Sequence, residues 1–499
     1  MKKASQKPFE IAVTIYIFAI MCILPLFMLH GYRDMAESKF GFFKVSSLLL
    51  MYFVIGLFVI CIIFDNKLKL FNKQKPSTIE IFVLYFLFAT VLSWLLCDYR
   101  YDALWGYEGW NMGLFTQLIL VFVFFCVSNA SIPRKQLLYG ILITATIEYI
   151  IAILQRYGLN PLGLYDNIKA DYRFEFISTV GQKTWFTSYT MIIAPFGIYA
   201  FFTEKKTRIK ILLGLFIYLQ TCVILVSYTD SALAGLIVII ALTGWFCLKD
   251  SNLFFEFAKV LLISSISLLS IGLTRIYLAD YRRILEDEHL TMLLTDPRSG
   301  VALAILSLAV FILLGILHNK KMAGQGSPLH KLRILYLTLT VLCGISAVIV
   351  ICITNNSISS FNDSWGNNRG FIWRIAMQTF SNGSTKDKLI GVGPDMFWKA
   401  SDTLYHDEIN SVFKGTQLPN AHNEWLNALV TEGVLGCVAY MGIFIFALYS
   451  GVKKSKDDLF YVPLTIAVAA YMVHNTFCYQ QCICTPLIFI VFGMINSKR

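Results

Sequence analysis

Three short motifs in the second half of the chain hold residue types that could act on a phosphorylated substrate. In the first, at residues 367–376, Asn368 could cap a helix, and Arg369 and Trp373 then share one helix face. An arginine backed by aromatic rings suits a phosphate or diphosphate, because its planar guanidinium donates two parallel hydrogen bonds and stays charged. Arg374 lies close to the same face. An amphipathic helix at a membrane surface explains the same residues, and composition alone favours that alternative.

The second motif is Gly391-Val392-Gly393-Pro394, a pattern typical of a turn with unusual backbone angles. Backbone N–H groups in such a turn could contact an anion. The Lys-Ser/Thr pair of a Walker motif is missing. A simple turn is therefore the favoured interpretation of this motif taken alone.

The third motif runs from Ala421 to Asn427. Asn420 is a plausible N-cap, which would place His422 in the first helical turn. An imidazole there could take a proton from a hydroxyl group near neutral pH, with Asn423 and Glu424 orienting it. A histidine bonded to the backbone or to lipid headgroups is an equally good explanation.

Weaker candidates lie elsewhere in the chain. Glu148 and Asp230 fall in or beside apolar runs, where an acid is a functional candidate, although Glu148 could also pair locally. The twelve cysteines lie mostly within apolar runs and form no spaced disulfide framework. One cluster has spacing that could bind zinc, but thiols packed in a hairpin explain it better. That cluster consists of His474, Cys478, Cys482 and Cys484.

Composition indicates what must position these motifs. Of 499 residues, 57% are apolar or aromatic and only 15% are charged, against roughly 25% in soluble proteins. These values exclude a disordered chain and a set of soluble domains. The net charge of +11 is spread thinly between long apolar runs, so it does not indicate a nucleic-acid-binding protein. The composition predicts an all-α polytopic membrane protein.

Fourteen stretches are long and apolar enough to be membrane spans, and we expect 12–14 helices. They lie at about 9–30, 45–64, 79–97, 112–128, 136–154, 185–202, 211–228, 231–248, 259–276, 299–317, 334–353, 428–450, 459–477 and 481–496. The stretches at 185–202 and 481–496 are the weakest. The N-terminal stretch, at about 9–30, is interpreted as a retained helix, because it lacks a signal-peptide cleavage pattern. Basic residues concentrate on the side of the N-terminus, which predicts that both termini are cytoplasmic.

These spans divide the chain into three parts. Residues 1–354 hold helices 1–11, residues 355–425 form a large outer loop with short helices, and residues 426–499 hold helices 12–14. The loop is rich in Trp, Phe, Gly and Asn, so we expect it to fold over the membrane surface. All three motifs lie in it or at its end, which places any chemistry on the outer face.

Together, the three motifs resemble the O-antigen ligase and polysaccharide polymerase superfamily. Its signature is an Arg-Gly-x-x-Trp helix, a Gly-x-Gly-Pro turn, and His-Asn-x-x-Leu leading into a glycine-rich membrane helix. Here these are Arg369-Gly370 with Trp373, residues 391–394, and His422-Asn423 with Leu426. The order and spacing match.

Earlier segments resemble the family more loosely. Residues 104–109 are similar to its Gly-aromatic-x-x-x-Gly loop, and residues 178–186 to its Gly-Asn-x-Asn segment. Residues 228–232 resemble its Thr-x-Ser-Arg motif, but Ala232 stands where the family has an arginine that is thought to contact the lipid diphosphate. Arg369 and Arg374 together could suffice. Otherwise the second charge would come from another basic residue: Lys183, Arg282 or Arg298.

The resemblance implies a GT-C-like membrane glycosyltransferase that needs neither cofactor nor metal. It would move a glycan from undecaprenyl diphosphate to a hydroxyl of a glycan, lipid or cell-wall acceptor, on the outer face of the bacterial cytoplasmic (inner) membrane. Nucleic acid is not among the expected partners, and membrane lipids are. His422 and Arg369 would be catalytic. The expected substrate-binding residues are Arg374, Trp373, Gly391, Gly393, Asn423, Lys183 and Asp230.

Three alternatives remain open from the sequence. One is a repeat-unit polymerase of the same superfamily, which differs from a ligase only in its acceptor. Another is a flippase for lipid-linked oligosaccharides, although transporters usually place polar groups near the membrane midplane in repeated halves. The third is a membrane scaffold without catalytic activity.

Overall fold

A computed structural model describes residues 6–63, 75–278, 296–319, 336, 338 and 362–497. In the first part of the chain the helices are α1 (Gln6–Phe18, continued by a π-helical turn, Ala19–Ile23), α2 (Met35–Ile63), α3 (Thr78–Leu95), α4 (Arg100–Trp105), α5 (Leu114–Asn129), α6 (Arg134–Arg156), α7 (Lys183–Thr203), α8 (Thr207–Val226), α9 (Asp230–Cys247), α10 (Ser251–Tyr277) and α11 (Pro297–Asn319). The helices that follow are α12 (Trp365–Asn382), α13 (Thr385–Ile390), α14 (Phe397–Phe413), α15 (Glu424–Thr431), α16 (Gly433–Lys454), α17 (Tyr461–His474) and α18 (Thr485–Asn496).

The only strands in the described ranges are two residues long. A 3₁₀ helix (Ala170–Glu175) leads into β1 (Phe176–Ile177), which pairs antiparallel with β2 (Gly181–Gln182). Phe176 lies opposite Gln182. This short hairpin joins α6 to α7, and Gln182 accepts hydrogen bonds from the N–H groups of Thr184 and Trp185 to cap α7.

The described part of the chain forms an all-α polytopic membrane protein. Nine of its helices have the length and hydropathy of membrane spans, and shorter apolar helices lie at Leu114–Asn129, Gly300–Ala309, Tyr461–His474 and Thr485–Asn496. Each stretch predicted as a span within the described ranges contains a helix. The stretch at 9–30 extends past the helix end at Ile23, and the stretch at 428–450 is divided at Glu432 between α15 and α16. The stretch at 334–353 lies outside them, except for residues 336 and 338. Arg282, a candidate for the second charge, also lies outside the described residues.

The two stretches that looked weakest in the sequence form the centre of the bundle. Helix α18 is buried along its whole length, and nearly every residue of α7 is buried. Helix α18 packs against α5, while α17 packs against both α7 and α9. A helix that is buried on all sides belongs to the core of a large protein. Within α7, the hydroxyls of Thr187 and Thr190 donate to backbone carbonyls of the same helix, at Lys183 and Phe186.

Residues 362–432, termed the motif segment below, form a small unit on the bundle. Helix α12 packs against α15, and α13 packs against α16. The segment has its own apolar core, which includes Phe371, Ile375, Phe397, Leu418 and Val430. The segment is therefore folded around short helices, as the sequence predicts for the large loop. Its last helix, α15, extends past the predicted boundary at residue 425.

Candidate functional site

Arg369 follows a left-handed backbone turn. Gly366, Asn367 and Asn368 have φ angles of 60°, 57° and 64°, and regular helical geometry begins after them. Asparagine tolerates this region better than most residues. The prediction that Asn368 is an N-cap is therefore wrong, because a capping residue is extended. The turn brings the carbonyl of Gly366 within 3.1 Å of the Arg369 Nη1, while Nε is buried without a hydrogen-bond partner among the described residues.

His422 lies just before α15, not inside its first turn as the sequence suggested. The cap of α15 is Asn423, whose Oδ1 accepts hydrogen bonds from the N–H groups of Trp425 and Leu426, both at 3.0 Å. Asn420 instead accepts from the N–H of His422 at 2.9 Å. That bond holds His422 at φ 46°, in the left-handed region. The Asn423 cap and the turn held by Asn420 together fix the direction of the imidazole.

The predicted orienting role of Glu424 is also wrong. Its carboxylate points into the bundle, where it accepts hydrogen bonds from Tyr440, Tyr471 and Asn475. Burial raises the pKa of Glu424 to about 7. Glu424 therefore anchors α15 to α16 and α17, and it leaves the imidazole of His422 to other neighbours.

In the structure, Arg369 lies close enough to His422 for its charge to act on the imidazole. The half-buried His422 ring meets the Tyr479 ring edge-on, with centroids 5.1 Å apart. Burial and, secondly, the positive charge of Arg369 lower the pKa of His422 to about 3. The imidazole makes no hydrogen bond with any described residue. It is neutral at physiological pH and has a nitrogen available to accept a proton.

Trp373 belongs to an aromatic group beside this pair. Its ring lies 5.4 Å from Trp365 and 6.0 Å from Phe477, measured between centroids. Phe477 is two residues before Tyr479, the residue that contacts His422. The rings shield one side of the region around Arg369 from water, which strengthens its electrostatic interactions.

Arg374 has a different environment. Its guanidinium forms a bidentate ion pair with Asp363, at 3.0 and 2.9 Å, and a further hydrogen bond of 3.0 Å to Glu408. Gln378 accepts a fourth hydrogen bond. Two carboxylates thus balance its charge, and the contacts tie α12 to α14. This arrangement favours a positioning role.

Gly391 and Gly393 dock the second motif onto α15. Both have positive φ angles, 89° and 121°, and a Cβ on Gly391 would lie 2.2 Å from the carbonyl oxygen of Thr431. The N–H of Gly391 donates to Asp387, and the N–H of Gly393 donates to Thr431 at 3.0 Å. Because these donors are already used within the protein, the geometry favours a packing role for both glycines.

Asp395 lies directly after this turn, and the sequence motifs predict no role for it. Its Oδ2 accepts hydrogen bonds from the backbone N–H groups of Tyr107, at 2.8 Å, and Met112, at 3.1 Å. Burial raises the pKa of the Asp395 carboxyl to about 7. A carboxylate following a Gly-x-Gly-Pro turn is the signal that could have marked it. Its partners, 288 and 283 residues away, could not be identified from spacing.

Lys183 and Asp230 start α7 and α9. Lys183 lies 3.2 Å from Glu175 and 3.7 Å from the centre of the Phe174 ring, whereas Asp230 is exposed. Ala232 is fully buried. A buried arginine from α6, Arg156, donates to the carbonyls of Val226, at 3.0 Å, and Phe174, at 3.1 Å.

The weaker candidates have local partners. Glu148 is buried and accepts hydrogen bonds from the hydroxyls of Ser178 and Thr179, which agrees with the alternative of local pairing. The four residues of the possible zinc cluster contact different groups. His474 bonds with Thr184, Cys478 with Ser188, Cys482 with Ala36 and Cys484 with Trp185. No group of three or more metal-binding side chains is found in the described ranges.

Comparison with known proteins gives one family match. A family model described as O-Antigen ligase matches residues 289–441. The match contains all three motifs, from Arg369 to Leu426. No curated protein matches the chain. The resemblance inferred from the motifs is confirmed.

Proposed function

We propose a specific reaction, on the basis of the O-antigen ligase family model that matches residues 289–441. The protein transfers a glycan from undecaprenyl diphosphate to an acceptor hydroxyl. Transfer occurs at the outer face of the bacterial cytoplasmic membrane. Members of the family are ligases or polymerases, so a membrane enzyme of this general type is expected.

The observation that carries this proposal is that the charge of Arg369 acts on the imidazole of His422. A neutral imidazole without a hydrogen bond to the described residues is suited to accept a proton. The adjacent guanidinium, with a buried Nε that lacks a partner in the described structure, is suited to bind an anion. A base and an anion site at one position are what a transfer from a lipid diphosphate to a hydroxyl requires.

The reaction then proceeds in one displacement. His422 takes the proton of the acceptor hydroxyl as its oxygen forms a bond to the anomeric carbon of the glycan. The bond between that carbon and the diphosphate oxygen breaks, and the electron pair leaves with the lipid diphosphate. Arg369 stabilises the negative charge that develops on this leaving group, a contribution worth about 100–1,000-fold in rate.

Binding of the donor also changes His422. In the free protein, burial and the charge of Arg369 keep its pKa at about 3, which makes it a weak base. A bound diphosphate neutralises Arg369 and adds negative charge nearby, which raises the pKa of the imidazole. The base therefore becomes effective only when the donor is present.

The remaining residues of the predicted site have supporting roles in this proposal. Asn423 orients His422 by capping α15. Trp373 helps to exclude water around Arg369. Gly391, Gly393 and Arg374 hold the motif segment in position. Lys183 and Asp230, at the starts of α7 and α9, are proposed to contact the bound substrate.

The test is transfer by the purified protein in detergent, with a lipid-linked glycan as donor. His422→Ala and Arg369→Ala are expected to lower the rate of transfer by about 100-fold or more at normal expression levels. His406→Ala and Arg208→Ala, which change exposed residues outside the site, are matched controls. Full activity in both site variants would overturn the proposed mechanism. Absence of transfer by the parent protein itself would favour a scaffold.

Two related functions give different results in the same assay. A polymerase makes long chains from lipid-linked repeats alone, whereas a ligase makes nothing until a separate acceptor is added. A flippase makes no product in detergent but moves lipid-linked oligosaccharide across vesicle membranes. The pairing of Arg369 with His422 favours chemistry over transport, because transport needs no base.

A further inference from the structure

A second feature of the same end of the bundle is a cavity of about 680 Å³. It lies between the start of α2, the loop after α4, the β1–β2 hairpin and the start of α14. This volume falls within the range of small-molecule binding sites, roughly 300–1,000 Å³. We refer to this cavity as the aromatic cleft.

Aromatic side chains form much of the wall. They are Tyr32, Tyr107, Trp110, Phe176, Trp185 and Trp398. Tyr107 and Trp398 meet edge-on with centroids 5.4 Å apart, and Trp110 and Trp185 meet edge-on at 5.0 Å. A pyranose ring has an apolar face of C–H groups and a rim of hydroxyls. Flat, rigid aromatic faces suit the apolar face of such a ring.

Polar groups in the wall suit the hydroxyl rim. The indole N–H groups of Trp110 and Trp398 are buried and have no hydrogen-bond partner among the described residues. A buried donor without a partner is unfavourable, and a hydrogen bond to a ligand hydroxyl would relieve that cost. Gln417 adds an exposed amide at the edge of the cleft.

The charges around the cleft are mostly negative. Four carboxylates line it, from Asp34, Glu37, Asp102 and Glu108, against one cation, Arg33. Asp102 is paired with Lys399, whereas the other three carboxylates form no salt bridge with any described residue. A concave site lined by one sign of charge repels ligands of the same sign.

The cleft is connected to the proposed base by a row of rings. Trp110, in the wall of the cleft, lies 5.1 Å from Tyr479, and Tyr479 lies 5.1 Å from His422. A saccharide in the cleft would thus be separated from the imidazole by the width of about two rings. This distance suits sugar residues adjacent to the one that reacts.

We propose that the aromatic cleft binds pyranose residues of a neutral or amino-sugar glycan, and that it excludes glycans rich in uronic acids or phosphate. This inference rests on the proposed function, because it assigns the cleft to the glycan that takes part in transfer. It specifies a charge class that the family match does not. The glycan that enters is either the acceptor or the distal part of the donor.

The test compares two tetrasaccharides of equal length on the full chain in lipid nanodiscs. Chitotetraose is neutral, and tetragalacturonate carries four carboxylates. Saturation-transfer NMR and calorimetry should show binding of chitotetraose at least about tenfold tighter, a difference of about 1.4 kcal/mol. Equal affinity, or tighter binding of tetragalacturonate, would overturn the proposal.

Variants locate the binding in the cleft. Trp398→Ala should weaken chitotetraose binding, whereas Tyr52→Ala, on an exposed face of α2, should leave it unchanged. If Trp398→Ala fails to fold, the double variant Asp34→Asn/Glu37→Gln serves, since it removes two charges without removing volume. It should raise the affinity for tetragalacturonate several-fold. Unchanged affinity in that double variant contradicts the assignment.

Inhibition of transfer identifies the glycan and separates this inference from the proposed function. Chitotetraose that competes with the acceptor assigns the cleft to the acceptor glycan, and competition with the lipid-linked donor assigns it to the donor glycan. If transfer occurs but is not inhibited at saturating chitotetraose, the cleft proposal is wrong and the proposed function stands. If chitotetraose binds as expected but no lipid-linked donor supports transfer, the proposed function fails while saccharide binding is supported.

Discussion

Among the described residues, the guanidinium of Arg369 is the charged group that acts on the imidazole of His422, whose ring packs edge-on against the uncharged ring of Tyr479. Arg369 lies in α12 and His422 in the turn before α15, 53 positions apart in the sequence. Their proximity joins an anion site to a base. It also makes the proton affinity of the base depend on whether an anion is bound.

The first prediction concerns the pH dependence of transfer. The acid limb of kcat/KM reports the free enzyme, where the pKa of His422 is about 3, so we expect no loss of kcat/KM near pH 6.5. The acid limb of kcat reports the donor complex, where the diphosphate raises that pKa. The acid limb of kcat should therefore lie at least about one pH unit above the acid limb of kcat/KM.

Steady-state rates between pH 4 and 9 test this prediction. Glu424→Gln is the control, because burial raises the pKa of Glu424 to about 7 and its titration could be mistaken for that of a histidine. An acid limb of kcat/KM near 6.5 that persists in Glu424→Gln would show that His422 is not shifted.

The second prediction concerns the shape of the Arg369 side chain. Arg369→Lys keeps the charge but loses the planar pair of donors, so it should lower kcat by about tenfold or more. Arg369→Ala should lower kcat by about 100–1,000-fold. Arg208→Lys, at an exposed position, is the matched control. A fully active Arg369→Lys would mean that a point charge suffices and that bidentate binding has no role.

The sequence was sufficient to predict the helices and the three motifs, because apolar runs and turn residues are local signals. It could not predict which charges are already neutralised. Arg374 looks like a second phosphate ligand beside Arg369, yet Asp363 and Glu408 balance it in three dimensions. Asp395 was missed for a similar reason, since its partners lie on a loop almost 300 residues earlier.

Local capping was also beyond the sequence. Asn420 and Asn423 are both good capping residues, and only the backbone angles show that Asn423 caps the helix. The consequence is functional, because His422 then lies outside the helix with a positive φ angle. Propensities cannot distinguish two asparagines that are three residues apart.

The third prediction concerns Gly391. Gly391→Ala places a Cβ 2.2 Å from the Thr431 carbonyl, and this backbone atom cannot move aside cheaply. Gly415→Ala is a matched control, since Gly415 has nearly the same φ angle, 87°, but has only the Asn410 Oδ1 nearby, at 3.9 Å. Gly415→Ala should lower the free energy of unfolding by about 1–2 kcal/mol, from backbone strain alone.

The apparent melting temperature of each variant measures the difference. Gly391→Ala should melt several degrees below Gly415→Ala and lose transfer activity, because the turn no longer docks on α15. Equal melting temperatures would indicate that the turn relaxes without affecting α15.

The fourth prediction concerns Asp395. Burial raises its pKa in the folded protein to about 7, against an unfolded value of 3.8. The folded state therefore binds more protons between these values, and stability falls as the pH rises from about 4 through 7. Asp395→Asn cannot ionise, and its oxygen can still accept from the N–H groups of Tyr107 and Met112. It should be less sensitive to pH than the parent protein.

Melting temperatures at pH 5 and pH 8 test this. The fall in melting temperature from pH 5 to pH 8 should be smaller in Asp395→Asn than in the parent protein. It should not vanish, because other buried carboxyls remain. Asp395→Ala leaves two N–H groups unpaired and should lose about 1–3 kcal/mol for each that stays buried. An unchanged pH drop in Asp395→Asn would show that this carboxyl is ionised throughout.

The last prediction distinguishes the orientation of His422 from its function as a base. Asn423→Ala removes the side chain that caps α15, a loss of about 1 kcal/mol, and lets the turn that holds His422 move. Asn423→Asp keeps the cap, because aspartate accepts the same two N–H groups and its charge is favourable at a helix N-terminus. We expect Asn423→Ala to lower kcat markedly with little change in donor affinity, since Arg369 is on another helix, and Asn423→Asp to stay close to the parent rate. If the two variants lose the same activity, the amide itself contacts the substrate, and Asn423 is then a binding residue and not a positioning residue for the base.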